Sequence, residues 1–478
     1  MTIRDSPSIG DRVGVDQKRG FIRYIGSLHI APDSNEVWLG IEWDNPGEGK
    51  HDGVLQGKRY FSTKYPDSGS FVRLKDVNLG QGFLKTVEDH YSGKDDQLEG
   101  VEIVLKEAEL DFNWIYQQRL IVLENKFIRF LERDVSQNFP KCIELSMARN
   151  MLSDWNQVFR IIDLFPSLVT LDISLNKLKP LEPIDCVYPT VESLNVVSCG
   201  LDVKTVSELH RHFPNLKKLF LVGNELEEVP DLTNLVKLEV LDLSKNPLVD
   251  FKKVSKVKNC SRLNTLNLKE CGFRSVEFDE DVGFPSLECL WLDGNPIGDW
   301  ESINQIARLP SLKNLRSGDL YTSDRNLQAY EILIAKLPTI NILNGCIVSP
   351  WERSNCEKFF QLRFSEPPIP QVHEKDVQRF NAKYGPVYEK PPEGKYETQQ
   401  RKISLTYNGK TITRTLQLSL NIEHIVAMAS RLLRFEPSKV EVKVEVQKGV
   451  FDSVEWNSSV VLRSFEPEDG MEIVFSDA

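Results

Sequence analysis

Between residues 168 and 295 one apolar frame, Leu-x-x-Leu-x-Leu-x-x-Asn/Cys, returns with first positions at Leu168, Val191, Leu216, Leu238, Leu263 and Leu287, spaced by 22 to 25 residues. Its ninth position is Asn176, Cys199, Asn224, Asn246, Cys271 or Asn295. A unit this short has an apolar edge that only a stacked neighbour can bury. The frame therefore predicts one short strand per unit, leucines inward, with the Asn or Cys bonding to backbone where the chain turns. Cys199 and Cys271 thereby have a structural task rather than a catalytic one. A degenerate copy at 142–146 and another at Leu312 and Leu315 extend the array. Among the outward strand positions, Phe220 and Trp291 are the aromatic candidates for contact with a protein partner.

The flanking patterns differ. From 10 to 77, short apolar or aromatic runs alternate with glycine turns, with strands expected at 12–15, 20–24, 38–43, 60–61 and 70–74. This spacing suggests a small antiparallel β-barrel. Residues 81–140 read as a polar linker and then a cap for the array, with a strand near 101–105 and a helix near 119–133. The repeat domain, 141–365, ends in a tail, 337–364, that resembles the C-terminal cap of such arrays. Residues 366–400, rich in proline, read as a semi-extended linker. Residues 401–478 open with a hairpin at Asn408-Gly409. A helical stripe follows (Ile422, Ile425, Val426, Ala429, Leu432, Leu433) with Asn421 as N-cap, and then further strands.

Composition narrows the function. The 478 residues carry a net charge of −11, which argues against a nucleic-acid binder working by phosphate neutralisation. No apolar run reaches membrane-spanning length, and MTIRDSPSIGDR has no signal-peptide core. The eight cysteines contain no CxxC pair, so reduced cytosolic thiols are expected. Gly409-Lys410-Thr411 lacks the upstream glycine of a phosphate loop, and His210 and His212 have no ligand pattern around them. No enzyme, cofactor or metal site is expected.

The segments GFIRYIG (20–26), WLGIEWDNPGEGKHDG (38–53), GKRYF (57–61) and GSFVRL (69–74) resemble a CAP-Gly domain in order and spacing. The family's commonest loop is Gly-Lys-Asn-Asp-Gly; this chain has His51 at the asparagine position, between Gly49 and Gly53. The resemblance implies a groove for extended acidic C-termini ending in an aromatic residue, as on α-tubulin. Trp38 and Phe71 would wall it, Lys50 and His51 would line the terminal loop, and Arg73 would supply a further cation. Burying one aromatic side chain contributes ~1.5–3 kcal/mol and an exposed ion pair ~0–1 kcal/mol, whereas micromolar binding needs ~8 kcal/mol. A second binding surface is therefore expected.

The array is similar to leucine-rich repeats, and the ββαβ…β order at the C-terminus to a ubiquitin-like β-grasp without a terminal Gly-Gly. The fold class is thus multidomain: a small antiparallel β-barrel, an α/β repeat solenoid and an α+β β-grasp. That combination resembles the tubulin-folding cofactor E family. It implies a cytoplasmic, cytoskeleton-associated factor that binds α-tubulin. With tubulin-folding cofactors B, C and D and an Arf-like GTPase, such a factor assembles or dissociates the αβ heterodimer. Ubiquitin-domain receptors or the proteasome are partners the last domain would suggest; nucleic acid and membrane are not. The alternative is a microtubule-associated CAP-Gly adaptor or scaffold.

Overall fold

A computed structural model describes residues 7–29, 36–92, 112–133, 135–318, 329–387, 400–458 and 460–477. The expected strand at 101–105 lies outside them. The chain divides into two compact units, Met1–Phe273 with Asp279–Leu287, and Arg274–Phe278 with Glu288–Ala478.

In the first unit, strands β1 (Arg12–Val15), β2 (Lys18–Gly26), β3 (Trp38–Trp43) and β6 (Gly69–Arg73) form an antiparallel sheet in the order β1-β2-β3-β6. The short pair β4 (Val54–Leu55) and β5 (Lys58–Arg59) stands beside it, so the expected strand at 60–61 falls two residues earlier. Alternation along β3 sends Leu39, Ile41 and Trp43 into a core with Val13 and Ile22. Trp38, Gly40 and Glu42 take the other face.

Two expectations for 81–140 are overturned. Phe83–Tyr91 is an α-helix, not part of a linker. It buries Phe83, Leu84 and Val87, and the Glu132 carboxylate accepts the N–H groups of Leu84 and Lys85 at 3.0 Å each. That cap lies far along the chain and leaves no local trace. The helix expected near 119–133 is instead two strands, Leu120–Val122 and Ile128–Phe130. The first pairs in parallel with Glu144–Ser146, and Ile121 and Ile128 are fully buried. The open edge of the repeat sheet decides the conformation, overriding local propensity.

Parallel strands then follow at Glu144–Ser146, Thr170–Asp172, Ser193–Asn195, Lys218–Phe220, Val240–Asp242 and Thr265–Asn267. Their central leucines, 145, 171, 194, 219, 241 and 266, are in register and buried. The expected ladder is present. Asn246 donates to Leu221 O and Leu243 O at 3.0 and 2.8 Å and accepts from Asn224 N and Leu226 N at 2.9 and 3.0 Å. Where cysteine replaces asparagine the thiol points at the same backbone, Cys199 Sγ to Ile173 O and Cys271 Sγ to Leu243 O, both 3.3 Å. Burial pushes both thiols up to about 12, so they stay protonated, as a structural role requires.

In the second unit, strands Cys289–Trp291, Asn314–Arg316 and Ile342–Leu343 continue the same parallel pattern. Helix Pro350–Phe364 begins at a Ser349/Glu352 capping box. The linker expectation for 366–400 is corrected for 371–384, where Gln371–Tyr384 is a helix burying His373, Val377 and Phe380 with Ile332, Ala335 and Phe360. The prolines that suggested extended chain flank this helix in sequence rather than interrupt it. Residues 388–399 lie outside the described ones. The C-terminal sheet orders its strands Lys410–Gln417, Gln400–Tyr407, Glu472–Asp477, Val440–Gln447, Val450–Val454, with Gln400–Tyr407 and Glu472–Asp477 parallel. Helix Ile422–Leu433 covers one face, capped by Asn421 accepting from His424 N at 2.9 Å. This is the expected β-grasp.

Helix Ala329–Lys336 buries a carboxyl, Glu331, 2% exposed, with no hydrogen-bond partner for either oxygen among the described residues. Burial, helped by the nearby Glu352 charge, raises it from 4.5 to about 7. An unfolded glutamate loses its proton near 4.5, while the folded one keeps it to about 7. Stability should therefore fall as pH rises through that window, by roughly 3 kcal/mol in total. Glu331→Gln should remove this slope. Urea midpoints of both proteins between pH 4.5 and 8 check it, and an unchanged slope in the variant would refute the assignment.

Candidate peptide groove

The loop Gly49–Gly53 is tied to β6 by main chain. Gly69 N donates to His51 O at 2.7 Å, and Lys50 N and His51 N donate to Gly69 O at 2.7 and 3.2 Å. Both loop glycines are required. A Cβ on Gly49 would lie 2.5 Å from the Ser68 and Gly69 backbone. Gly53 has φ +96°, and a Cβ there would lie 2.2 Å from Phe61 O.

Above the outward face of the sheet stands an aromatic cluster centred on Phe71. Its ring centroid is 5.0 Å from His51, 5.3 Å from Tyr60, 5.4 Å from Phe61 and 6.2 Å from Tyr24. Gly40, paired with Phe71 across the strands, leaves the space the Phe61 ring fills; a Cβ there would be 2.5 Å from it. His51 Nδ1 accepts the Gly53 N–H at 3.0 Å, so the ring proton sits on Nε2. Burial lowers its pKa below 6.5; Lys50 acts in the same direction and Asp52 opposes. His51 is therefore neutral at pH 7, with one ring N–H to donate.

The Lys50 side chain is exposed and has no ion-pair partner among the described residues. Asp52 is turned away onto Arg59 at 2.8 Å, which holds its carboxyl below the ordinary value. Lys58 lies 5.0 Å over the Tyr60 ring. The site thus combines an aromatic floor, a free ammonium and a neutral N–H donor, a set suited to an aromatic residue beside a carboxylate.

The structure brings Phe71, Lys50, His51, Gly49 and Gly53 together. Trp38 and Arg73 pair with each other at the opposite end of β3. The Arg73 guanidinium lies 5.3 Å over the Trp38 ring and 3.0 Å from Glu36, so its charge is already engaged. Tyr24, Tyr60 and Phe61 were not singled out from sequence. The pattern Arg59-Tyr60-Phe61 was visible, but only the fold turns Tyr60 and Phe61 onto Phe71. Phe220 is half-buried on its strand in the first unit. Trp291, in the second, is half-buried with Arg316 4.8 Å above its ring.

Gly53→Ala should destabilise the loop's domain by ~1–3 kcal/mol. Gly47→Ala, also at positive φ but with nothing within 4 Å of the added carbon, should cost less. Equal losses in thermal unfolding would show that backbone strain alone, and not the Phe61 contact, requires Gly53.

The CAP-Gly domain model matches residues 9–77, and a model for two leucine-rich repeats matches 214–259. Human (Homo sapiens) tubulin-specific chaperone E is 32% identical over 387 residues, covering 74% of this chain and 72% of its own. The Bos taurus protein of the same name is 28% identical over 520 residues, covering 97% of this chain and 98% of its own. Among solved structures, the C-terminal ubiquitin-like domain of mouse tubulin-specific chaperone e aligns at 18% identity and a TM-score of 0.16, over 18% of this chain and 95% of that one. With a leucine-rich array between a CAP-Gly sheet and a β-grasp, and this identity across most of both chains, the chain belongs to the tubulin-specific chaperone E family.

Proposed function

We propose that this chain is a tubulin-folding cofactor that captures α-tubulin at two places. The groove takes the acidic, aromatic-ended C-terminal tail, and the repeats meet the globular body, with Phe220 and Trp291 as candidate contacts. The observation that carries this reading is the exposed Lys50, without an ion-pair partner among the described residues, in the loop whose His51 packs on Phe71, since an acidic tail ending in an aromatic residue needs both a cation and an aromatic slot. The aromatic slot and one or two exposed cations supply less than micromolar affinity. Tethering by the tail raises the effective concentration of the body at the second surface. Preferential binding of the lone subunit then shifts the heterodimer equilibrium. Participation of further tubulin cofactors and an Arf-like GTPase, in the cytoplasm, belongs to the same proposal.

Mixing the protein with soluble tubulin and sizing the products should show loss of heterodimer. Removing the terminal aromatic residue of α-tubulin should weaken capture, and Lys50→Ala should weaken tail-peptide binding up to about fivefold. If neither changes affinity, the groove role is wrong. Co-sedimentation with microtubules without loss of soluble heterodimer would favour the adaptor.

Because burial holds the His51 pKa below 6.5, tail affinity should be flat between about pH 7 and 8. Fluorescence anisotropy of a labelled tail peptide measures this. A tightening toward acid centred in that window would show that His51 binds as a cation.

A further inference from the structure

We propose that the cleft between the CAP-Gly sheet and the turns of the repeats in the first unit is a second subsite, taking acidic side chains that precede the aromatic end of the same peptide. It rests on the groove reading above.

Two adjoining cavities of about 470 and 570 Å³ lie in this cleft. The smaller is walled in part by Arg19, Arg149 and Lys177. Among the described residues these three cations bond only to neutral oxygens. Arg19 donates to Gln17 O at 3.2 Å and Asn125 Oδ1 at 2.5 Å. Arg149 donates to Gln17 O at 3.3 Å, and Lys177 to Ser198 O at 3.2 Å. Arg19 is 4% exposed, and its Nε has no partner. Burial first, and then the charges of Arg149 and Arg12, lower it to about 10, outweighing the opposing charge of Asp44, which is itself bonded to Arg12.

The carboxylates of the cleft are mostly matched. Asp44 pairs with Arg12, Glu225 with Lys64 at 2.5 Å and Glu42 with Arg23 at 2.7 Å. Among the described residues Glu48, bonded to Asn45 at 2.9 Å, is the one of these carboxylates not paired to a cation side chain. Three cations against one carboxylate leave the cleft positive in a chain of net charge −11.

The cleft also joins the groove. Glu42 follows Gly40 in the outward row of β3, and Ser62 follows Phe61; both line the larger cavity. Lys177 and Glu225 line both cavities. An extended peptide advances about 3.3 Å per residue, so a few residues beyond the aromatic end reach the cations. At the other end of the groove Arg73 is already paired with Glu36. Complementary charge thus favours an acidic stretch running into the cleft.

The test uses the full-length protein and three labelled peptides: acetyl-Glu-Glu-Tyr, the same ending preceded by six glutamates, and the same ending preceded by six glutamines. At low salt the glutamate extension should bind about three- to tenfold tighter than the glutamine extension. Arg149→Gln with Lys177→Gln should abolish that gain while leaving the short peptide's affinity unchanged. No gain in the wild type, or a gain that survives the double substitution, overturns the cleft. If the short peptide does not bind, or if neither Lys50→Ala nor removal of its terminal Tyr weakens it, the groove reading fails and the cleft proposal falls with it.

Discussion

A repeat of 22 to 25 residues with one leucine edge cannot close a core of its own, and most of the chain answers to that constraint. Stacking in register buries the central leucines. The Asn and Cys ladder then satisfies the backbone at each turn, where an unpaired buried amide would cost about 1–3 kcal/mol. The positions just before the ladder residues, including Leu175, Ser198, Lys245 and Glu270, take positive φ to make that turn. The strain is tolerated because the ladder bonds over-determine the geometry. Stacking also leaves terminal edges to cover. In the first unit, Leu120–Val122 and the helix Phe83–Tyr91 serve at one end; in the second, the helices from Ala329 to Tyr384 pack together beside the last strands.

The N-terminal cover also seats the CAP-Gly sheet. Phe127 packs over Gly14, where a Cβ would lie 2.3 Å from its ring, and Arg19 lies 4.4 Å over the same ring. Asn125 donates to Gln17 Oε1 at 3.0 Å. Because these contacts combine ring stacking with directed hydrogen bonds, they fix orientation as well as distance. The cleft follows from that seating: Arg19 is part of the seat and part of the cleft wall at once.

Histidine in place of the family's asparagine changes what the loop presents. The Gly53 N–H occupies Nδ1, and contact with Phe71 removes water from the ring. Both favour the neutral imidazole. His51 thus keeps a hydrogen-bond donor in the groove without adding a charge, leaving Lys50 as the loop's cation for an anionic ligand. On the β-grasp, the exposed sheet face is hydroxyl-rich and charged. Thr406 bonds to Thr411 at 2.8 Å and also to Glu472, with Ser404 and Lys443 nearby in register. That face offers a partner polar groups rather than a broad apolar patch.

The sequence by itself determined the three fold classes, the repeat register, the structural role of Cys199 and Cys271, and the loop Gly49–Gly53. Each depends on local spacing: a strand's alternation, a repeat's period, or glycines where the backbone has no room for a Cβ. Tertiary structure decided what long-range partners control. Strand pairing with a distant edge made strands of a segment that reads as helix. Glu132 capped a helix hidden in an apparent linker, and Phe380 and Val377 found a core that drew proline-flanked chain into a helix. The same holds for the site. Phe71 was legible because the segment GSFVRL (69–74) resembles the CAP-Gly pattern, whereas Tyr24, Tyr60 and Phe61 join it only once the sheet is folded. Arg73 looked like a free cation until Glu36 and Trp38 were placed beside it. Spacing along a chain records which face a residue takes, but not which charge or ring will meet it there.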